Sequence, residues 1–396
     1  MAERREVWIA GAARTAIGRY LKGLAGVSVV ELGAAAVREA VGRSGIPPES
    51  IDEVVLGNVL GAGAGQGPAR AAALRAGLPA ETDAYLVNQV CGSGLRAVML
   101  GAGRIALGEA DAVVAGGMES LSRAPHYLEG ARSGVRSGDL HLADAVNRDG
   151  LFCAFSGEAM GRIMDRVAAE AGIGREEQEK LALESHRRAA AAREGGRFRA
   201  EIVPVDTPLP NGGSRVFDAD EGPRAGMTAE GLAKMEPCFT EGGTVTAGTS
   251  SGLADGAAAV VLVGAGAAER AGIEPLARIE GYASAAAEPS RVFETPVRAI
   301  HRLMERTGRS IGDYDWIEMS EAFAAQMILD GRTLRWDPER VNPEGGAVAL
   351  GHPLGASGAR ILVTLLHTLG IRGGRRGLAS ICLGGGVGLA LSVEKA

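Results

Sequence analysis

Two stretches read as copies of one unit: VCGSGLRAVMLGAGRIALGEADAVVAGG at residues 90–117 and GHPLGASGARILVTLLHTLGIRGGRRGLASICLGGG at residues 351–386. In each, a reactive residue sits at a glycine turn, a long apolar helix-like run follows, and a short β-like run rich in glycine closes the unit. The correspondence points to an internal duplication of one α/β unit. Outward from the first copy, short apolar runs alternate with helical ones: EVWIAGAA (6–13), SVVELGAAAVREAVGRSG (28–45), IDEVVLGNVL (51–60) and GPARAAALRAGLP (67–79). This alternation predicts an α/β fold with a largely parallel, buried sheet.

The pattern breaks between about residues 121 and 245. LSRAPHYLEGARSGVRSGDLHLADAVNRDG (121–150) is rich in turn residues and charges, REEQEKLALESHRRAAAAREG (175–195) is an amphipathic helix, and VDTPLPNGGSRVFDADEGPRAGM (205–227) reads as loop. Long non-repetitive loops in compact proteins are usually functional. The expected organisation is an N-terminal α/β half over 1–120 completed by about 246–272, an inserted loop domain over 121–245, and a C-terminal α/β half over 273–396.

Composition narrows the classes of function. The net charge is −6, from 42 basic and 48 acidic residues, and no basic block exceeds GGRR or SHRR, so no nucleic-acid surface is expected. The N-terminal MAERREVWIAGAARTAIG (1–18) lacks the apolar core and cleavage site of a signal peptide, and every apolar stretch of membrane-spanning length is broken by charge or glycine. The cysteines, Cys91, Cys153, Cys238 and Cys382, show no C-x-x-C spacing, so neither a metal site nor a disulfide framework is expected. A cytoplasmic enzyme with reduced thiols is the default. GAGAGQG (61–67) misses the dinucleotide fingerprint because Gln66 occupies the place of the third glycine.

Cys91 stands directly before Gly-Ser-Gly and a helix. Helix N–H groups aimed at its sulfur are expected to lower the thiol pKa and to hold an oxyanion, which describes a nucleophile for acyl transfer. His352 lies between glycine-rich turns ahead of the second apolar helix, and histidine is the usual base for a cysteine nucleophile. Cys382 ends a β-like run before three glycines, which permit close approach of a ligand. It could resolve a disulfide with Cys91 or draw a proton from carbon. The absence of C-x-x-C favours carbon chemistry. Cys153 and Cys238 have no neighbouring base or glycine turn and read as structural.

Seven motifs occur in the order found in the thiolase family, which the chain resembles over nearly its whole length: GNVLGAGAGQGPARAAALRAGLP, NQVCGSGLRAV, AGGMESLSRAPH, TVTAGTSSGLADGAAAVV, SEAFAAQ, NPEGGAVALGHPLGASGARI and CLGGGVG. The resemblance implies the thiolase fold, two βαβαβ halves stacked as five α-β-α-β-α layers with a loop domain inserted in the first. It implies acyl transfer between coenzyme A thioesters, with acyl-CoA and acetyl-CoA as partners, no bound cofactor, and a homodimer or homotetramer formed in part through the loop at 126–139. By the same resemblance Cys91 carries the acyl group and His352 activates it. Cys382 is the acid/base at the substrate α-carbon, and the N–H groups of Cys91 and Gly384 form the oxyanion hole. Ser251, Arg224, Met160, Leu151 and Phe239 match positions that contact CoA.

Departures from the family pattern are visible too. Ser320 replaces the asparagine of the usual Asn-Glu-Ala-Phe, a residue that normally holds a catalytic water. Ala159 replaces a histidine found in acetoacetyl-CoA-type members, and FETP (293–296) replaces a Gly-x-Gly-Pro loop, adding Phe293 and Glu294 near the expected acyl pocket. These changes point toward another 3-ketoacyl-CoA or a specialised condensing role. They also motivate an alternative, a non-catalytic thiolase-fold scaffold subunit. A redox protein using Cys91 and Cys382 is a third reading.

Overall fold

The computed structural model describes residues 5–134, 136–209 and 211–396. Residues 1–4, at the head of the N-terminal stretch, residue 135 within the 126–139 loop and residue 210 within the 205–227 loop lie outside the described residues. Nine main strands belong to one eleven-stranded sheet: β1 (Val7–Thr15), β2 (Glu53–Gly57), β3 (Asp83–Val87), β4 (Ala112–Ser120), β5 (Ala254–Gly264), β6 (Ala277–Ala286), β7 (Trp316–Met319), β8 (Arg376–Leu383) and β9 (Val387–Lys395). Their spatial order is β3-β2-β4-β5-β1-β6-β9-β8-β7.

The duplication shows in that order. In the first half β1 lies antiparallel to β5, β5 antiparallel to β4, and β4 and β3 flank β2 in parallel. In the second half β6 lies antiparallel to β9, β9 antiparallel to β8, and β8 is parallel to β7. A parallel bridge from Ile317 to Val341 stands where β3 stands in the first half. The halves meet edge to edge where Trp8 pairs with Arg278 and Ile9 with Ala277. The sheet is therefore mixed, which corrects the expected parallel one. Continuous apolar runs report burial on both faces, and that burial is met here by antiparallel strands covered by helices on both sides.

The eight principal helices are α1 (Val29–Ser44), α2 (Pro68–Ala76), α3 (Ser93–Leu107), α4 (Met160–Glu170), α5 (Arg175–Glu194), α6 (Thr295–Thr307), α7 (Ala324–Leu334) and α8 (Leu354–Ile371). Along β4, Ala112, Val114 and Met118 pack toward α1, while Val113 and Ala115 pack toward α3 and α8, as the two-residue period of a strand requires. Ile381 and Leu389 of the second half reach the same α3/α8 core from the other side. Ile300, Leu303 and Met327 of α6 and α7 cover the outer face of the second half. The result is five layers with α3 and α8 in the middle.

That position explains why Val90–Leu107 and Leu354–Ile371 have the length and hydropathy of membrane spans: they are core helices, with 83% of the α8 window buried. They touch closely. A Cβ on Gly358 would lie 2.6 Å from the backbone nitrogen of Leu95, and one on Gly94 would lie 2.9 Å from the carbonyl oxygen of Gly355.

The chain leaves β4 at Ser120 and enters β5 at Ala254, and the excursion between them, which touches the sheet where Ile202–Val203 pairs with β1, is tied back by buried charge. Arg14, fully buried on β1, donates from Nε to Glu201 at 2.6 Å and through both terminal nitrogens to Asp220 at 2.8 Å. Such charges are tolerated inside a protein when paired and fully hydrogen-bonded.

Gly358→Ala should force α3 and α8 apart and cost about 1–3 kcal/mol of unfolding free energy. Urea unfolding that shows no loss would remove this contact from its role in the core.

Candidate active site

The turn before α3 is held in an uncommon conformation. Val90 has φ of +48°, a left-handed value that a β-branched residue rarely adopts. The Asn88 side chain accepts from the Val90 N–H at 3.1 Å, and Ser93 Oγ accepts from the Gln89 N–H at 2.8 Å and donates to the Val90 carbonyl at 2.6 Å. These bonds aim Cys91 outward at the mouth of the helix.

His352 sits just ahead of α8 on a fully buried loop. Its N–H donates to the Gly252 carbonyl at 2.8 Å, and its Nδ1 lies 2.6 Å from Ser357 Oγ. Ser357 Oγ also lies 2.9 Å from the Pro353 carbonyl. With the hydroxyl proton donated there, Ser357 accepts from His352, an arrangement that puts the ring proton on Nδ1 and leaves Nε2 with a free lone pair. Burial, with the positive charge of Arg360 behind it, holds His352 down to about 4, so the ring is neutral at pH 7. A neutral imidazole can take a proton.

Cys91, His352, Cys382 and Gly384 all line one cavity of about 390 Å³. Burial pushes the Cys91 thiol up to about 12, against the opposing pull of the Gly384 N–H and its own N–H. Desolvation outweighs the helix terminus, so the expectation of a lowered thiol pKa is corrected. The sulfur rests as a thiol. Cys382 is also driven well above its ordinary value, by burial first and then by the neighbouring Cys91 and Asp330. Among the described residues no three His, Cys, Asp or Glu side chains cluster as a metal site requires.

The rest of the cavity comes largely from the excursion. A π-helical turn, Val146–Leu151, supplies Asn147, Gly150 and Leu151, and the start of α4 supplies Met160 and Gly161. Phe239, Phe323 and Phe293 form an apolar wall, with ring centroids 6.1 Å and 5.4 Å apart in edge-to-face contact.

Two family descriptions cover this architecture between them: "Thiolase, N-terminal domain" matches residues 7–266 and "Thiolase, C-terminal domain" matches residues 273–395. The chain belongs to the thiolase family. It is 50% identical over 390 residues to an acetyl-CoA acetyltransferase of Chromobacterium violaceum, covering 98% of this chain and 100% of that protein. It is 50% identical over 388 residues to an acetyl-CoA acetyltransferase of Escherichia coli, covering 98% of each. The crystal structure of the Bacillus anthracis acetyl-CoA acetyltransferase superposes with a TM-score of 0.98 at 40% identity over the whole of both chains. As a thiolase the protein is an acyltransferase that works on CoA thioesters.

Not all the thiolase positions expected from sequence face the cavity. Ser251, Met160, Leu151 and Phe239 do, and Ser251 is fixed by its N–H donating to the Ala322 carbonyl at 3.0 Å. Ser320 lies outside the lining. It is buried, and its Oγ has no hydrogen-bond partner among the described residues, which leaves it free to hold a water. Arg224 is exposed and also outside the lining; its N–H donates to His186 Nδ1 at 3.3 Å.

Sequence reasoning passed over Ser357, Ser93 and Asn88. Each lies within five residues of a reactive side chain, and small hydroxyl or amide residues beside a glycine turn are the signal that could have found them.

Because the thiol rests protonated, alkylation of Cys91 by iodoacetamide should rise roughly tenfold per pH unit and keep rising to about pH 10. A plateau below about pH 9, read by peptide mass spectrometry, would contradict the desolvated site.

Proposed function

We propose that this thiolase transfers acyl groups between CoA thioesters through an acyl-Cys91 intermediate, with acetyl-CoA as a substrate. The observation that carries this reading is the sharing of one apolar cavity by Cys91, His352 and Cys382. In the first step His352 Nε2 takes the Cys91 proton as the sulfur attacks the thioester carbonyl. The N–H groups of Cys91 and Gly384 receive the developing oxyanion, and the CoA thiolate leaves with the proton of Cys382. In the second step the Cys382 thiolate so formed removes an α-proton from acetyl-CoA and is again a thiol. The resulting carbanion attacks the acyl carbon on Cys91, releasing a 3-ketoacyl-CoA, and the departing Cys91 sulfur recovers its proton from His352. Each step runs in reverse for thiolysis. Neutral resting groups suit this scheme, since charge then appears only as the reaction proceeds.

The pantetheine arm would lie along Ser251, Leu151, Met160 and Phe239, within reach of the loop domain over 121–245. Arg224 would meet the nucleotide phosphates from outside the cavity. Ser320 would hold the water that, with His352, stabilises the enolate. Phe293, buried against Phe323, supports a tightly walled acyl site and a 3-ketoacyl-CoA whose chain fits beside three rings. Four free thiols suit a reducing cytoplasm. The open edge of β3, with Tyr85 37% exposed, suits pairing into a homodimer. Leu140 and Leu142, 54% and 65% exposed just beyond the 126–139 loop, suit a homotetramer.

Brief incubation with acetyl-CoA should leave an acetyl group on Cys91, detectable by peptide mass spectrometry. A folded protein that shows no adduct with acetyl-CoA or a panel of acyl-CoAs would refute the reading and revive the scaffold alternative. Cys382→Ala should still acylate but lose exchange of the substrate α-proton with deuterated water. Exchange at the wild-type rate would remove Cys382 from its role.

A further inference from the structure

At the end of β4, the strand that β8 copies, stands a buried carboxylate to which no step above assigns a task. Glu119 is fully buried and accepts four hydrogen bonds. Three come from the segment that follows β2: Asn58 Nδ2 at 2.8 Å, the Val59 N–H at 3.1 Å and the Leu60 N–H at 3.2 Å. The fourth comes from the Gly355 N–H at 2.8 Å, three residues beyond His352 and at the start of α8. The network then continues toward the other reactive turn. Asn88 Nδ2 donates to the Val59 carbonyl at 3.2 Å, and Asn88 Oδ1 accepts from Val90, the left-handed residue before Cys91.

We propose that Glu119 is a positioning residue that clasps the His352 loop and the Cys91 turn in register for acyl transfer. It touches neither reacting atom. It acts through Gly355 on one side and through Val59 and Asn88 on the other, and so joins loops from the two halves of the fold. Charge-assisted bonds to N–H groups are short and directional, and a shift of about 1 Å between reacting groups costs roughly a hundredfold in rate. The groups of neighbouring elements that bear on its charge are Asp255 on β5 and Cys91 itself.

Burial raises Glu119 to about 7, against the pull of the Gly355, Leu60 and Val59 N–H groups. As pH falls through that value the carboxylate takes a proton and loses acceptor capacity, so the clasp loosens on the acid side. His352 at about 4 and Cys91 at about 12 titrate far from this window.

The inference rests on the roles proposed for Cys91 and His352, and wild-type acetylation of Cys91 tests those separately. With that adduct in hand, Glu119→Gln should lower kcat by about a hundredfold, leave KM for acetyl-CoA within about threefold, and abolish the acid limb of kcat near neutrality. Wild-type kcat, or an unchanged acid limb, would overturn the clasp while leaving the acyl-Cys91 reading intact. Should that variant not fold, Asn88→Ala decides. It cuts the bridge to Cys91 without touching the carboxylate, and a fall in the Cys91 acetylation rate of about tenfold supports the clasp, whereas an unchanged rate overturns it.

Discussion

The contact on which the rest depends is the crossing of α3 and α8 in the middle layer, where Gly94 and Gly358 let two helices from different halves approach backbone to backbone. Each helix begins at a reactive residue. Once the pair is buried between the two half-sheets, Cys91 and His352 open onto the same cavity. The duplication thus does mechanical work: one unit supplies Cys91, its copy supplies His352, and the copy's last strands, β8 and β9, bring Cys382 and Gly384 to the same place.

Burial on this scale sets the electrostatics of the site. Both thiols are driven up and the imidazole down, so the resting site carries no charge on any of the three. The hydrogen bond between His352 Nδ1 and Ser357 Oγ matters for the same reason, since with a neutral ring the position of its one proton decides which nitrogen can accept another. The charges that are buried lie behind the site and hold backbone. Glu321, for example, accepts from Ser185 Oγ at 2.7 Å, Asn342 Nδ2 at 2.9 Å and the Val348 N–H at 3.1 Å, tying the loop before His352 to α5. Glu119 does the same for the segment after it.

Much was legible in the residues. The two glycine-flanked helices and their echo reveal the duplication, the break in alternation after Leu121 marks the excursion, and Cys91, His352 and Cys382 stand out because each lies within two residues of a glycine. These signals are local: a turn needs its glycine and a buried helix needs its apolar run wherever in space they lie. The apolar run of α8 was also readable, but its place, a core helix with 83% of its length buried, required both half-sheets to be in place.

The sequence by itself determined the α/β class, the repeated unit and the candidate reactive side chains, since those follow from periodicity and from chemistry that only certain residues carry. Tertiary structure alone decided strand direction, because β4 and β5 pair across an excursion of more than a hundred residues that no local pattern encodes. It decided the pKa of Cys91 as well. A helix terminus acts from next door, but desolvation is the sum of everything packed around the sulfur. It also set Arg224 and Ser320 outside the cavity lining, for the direction a side chain faces depends on neighbours brought in from elsewhere in the chain.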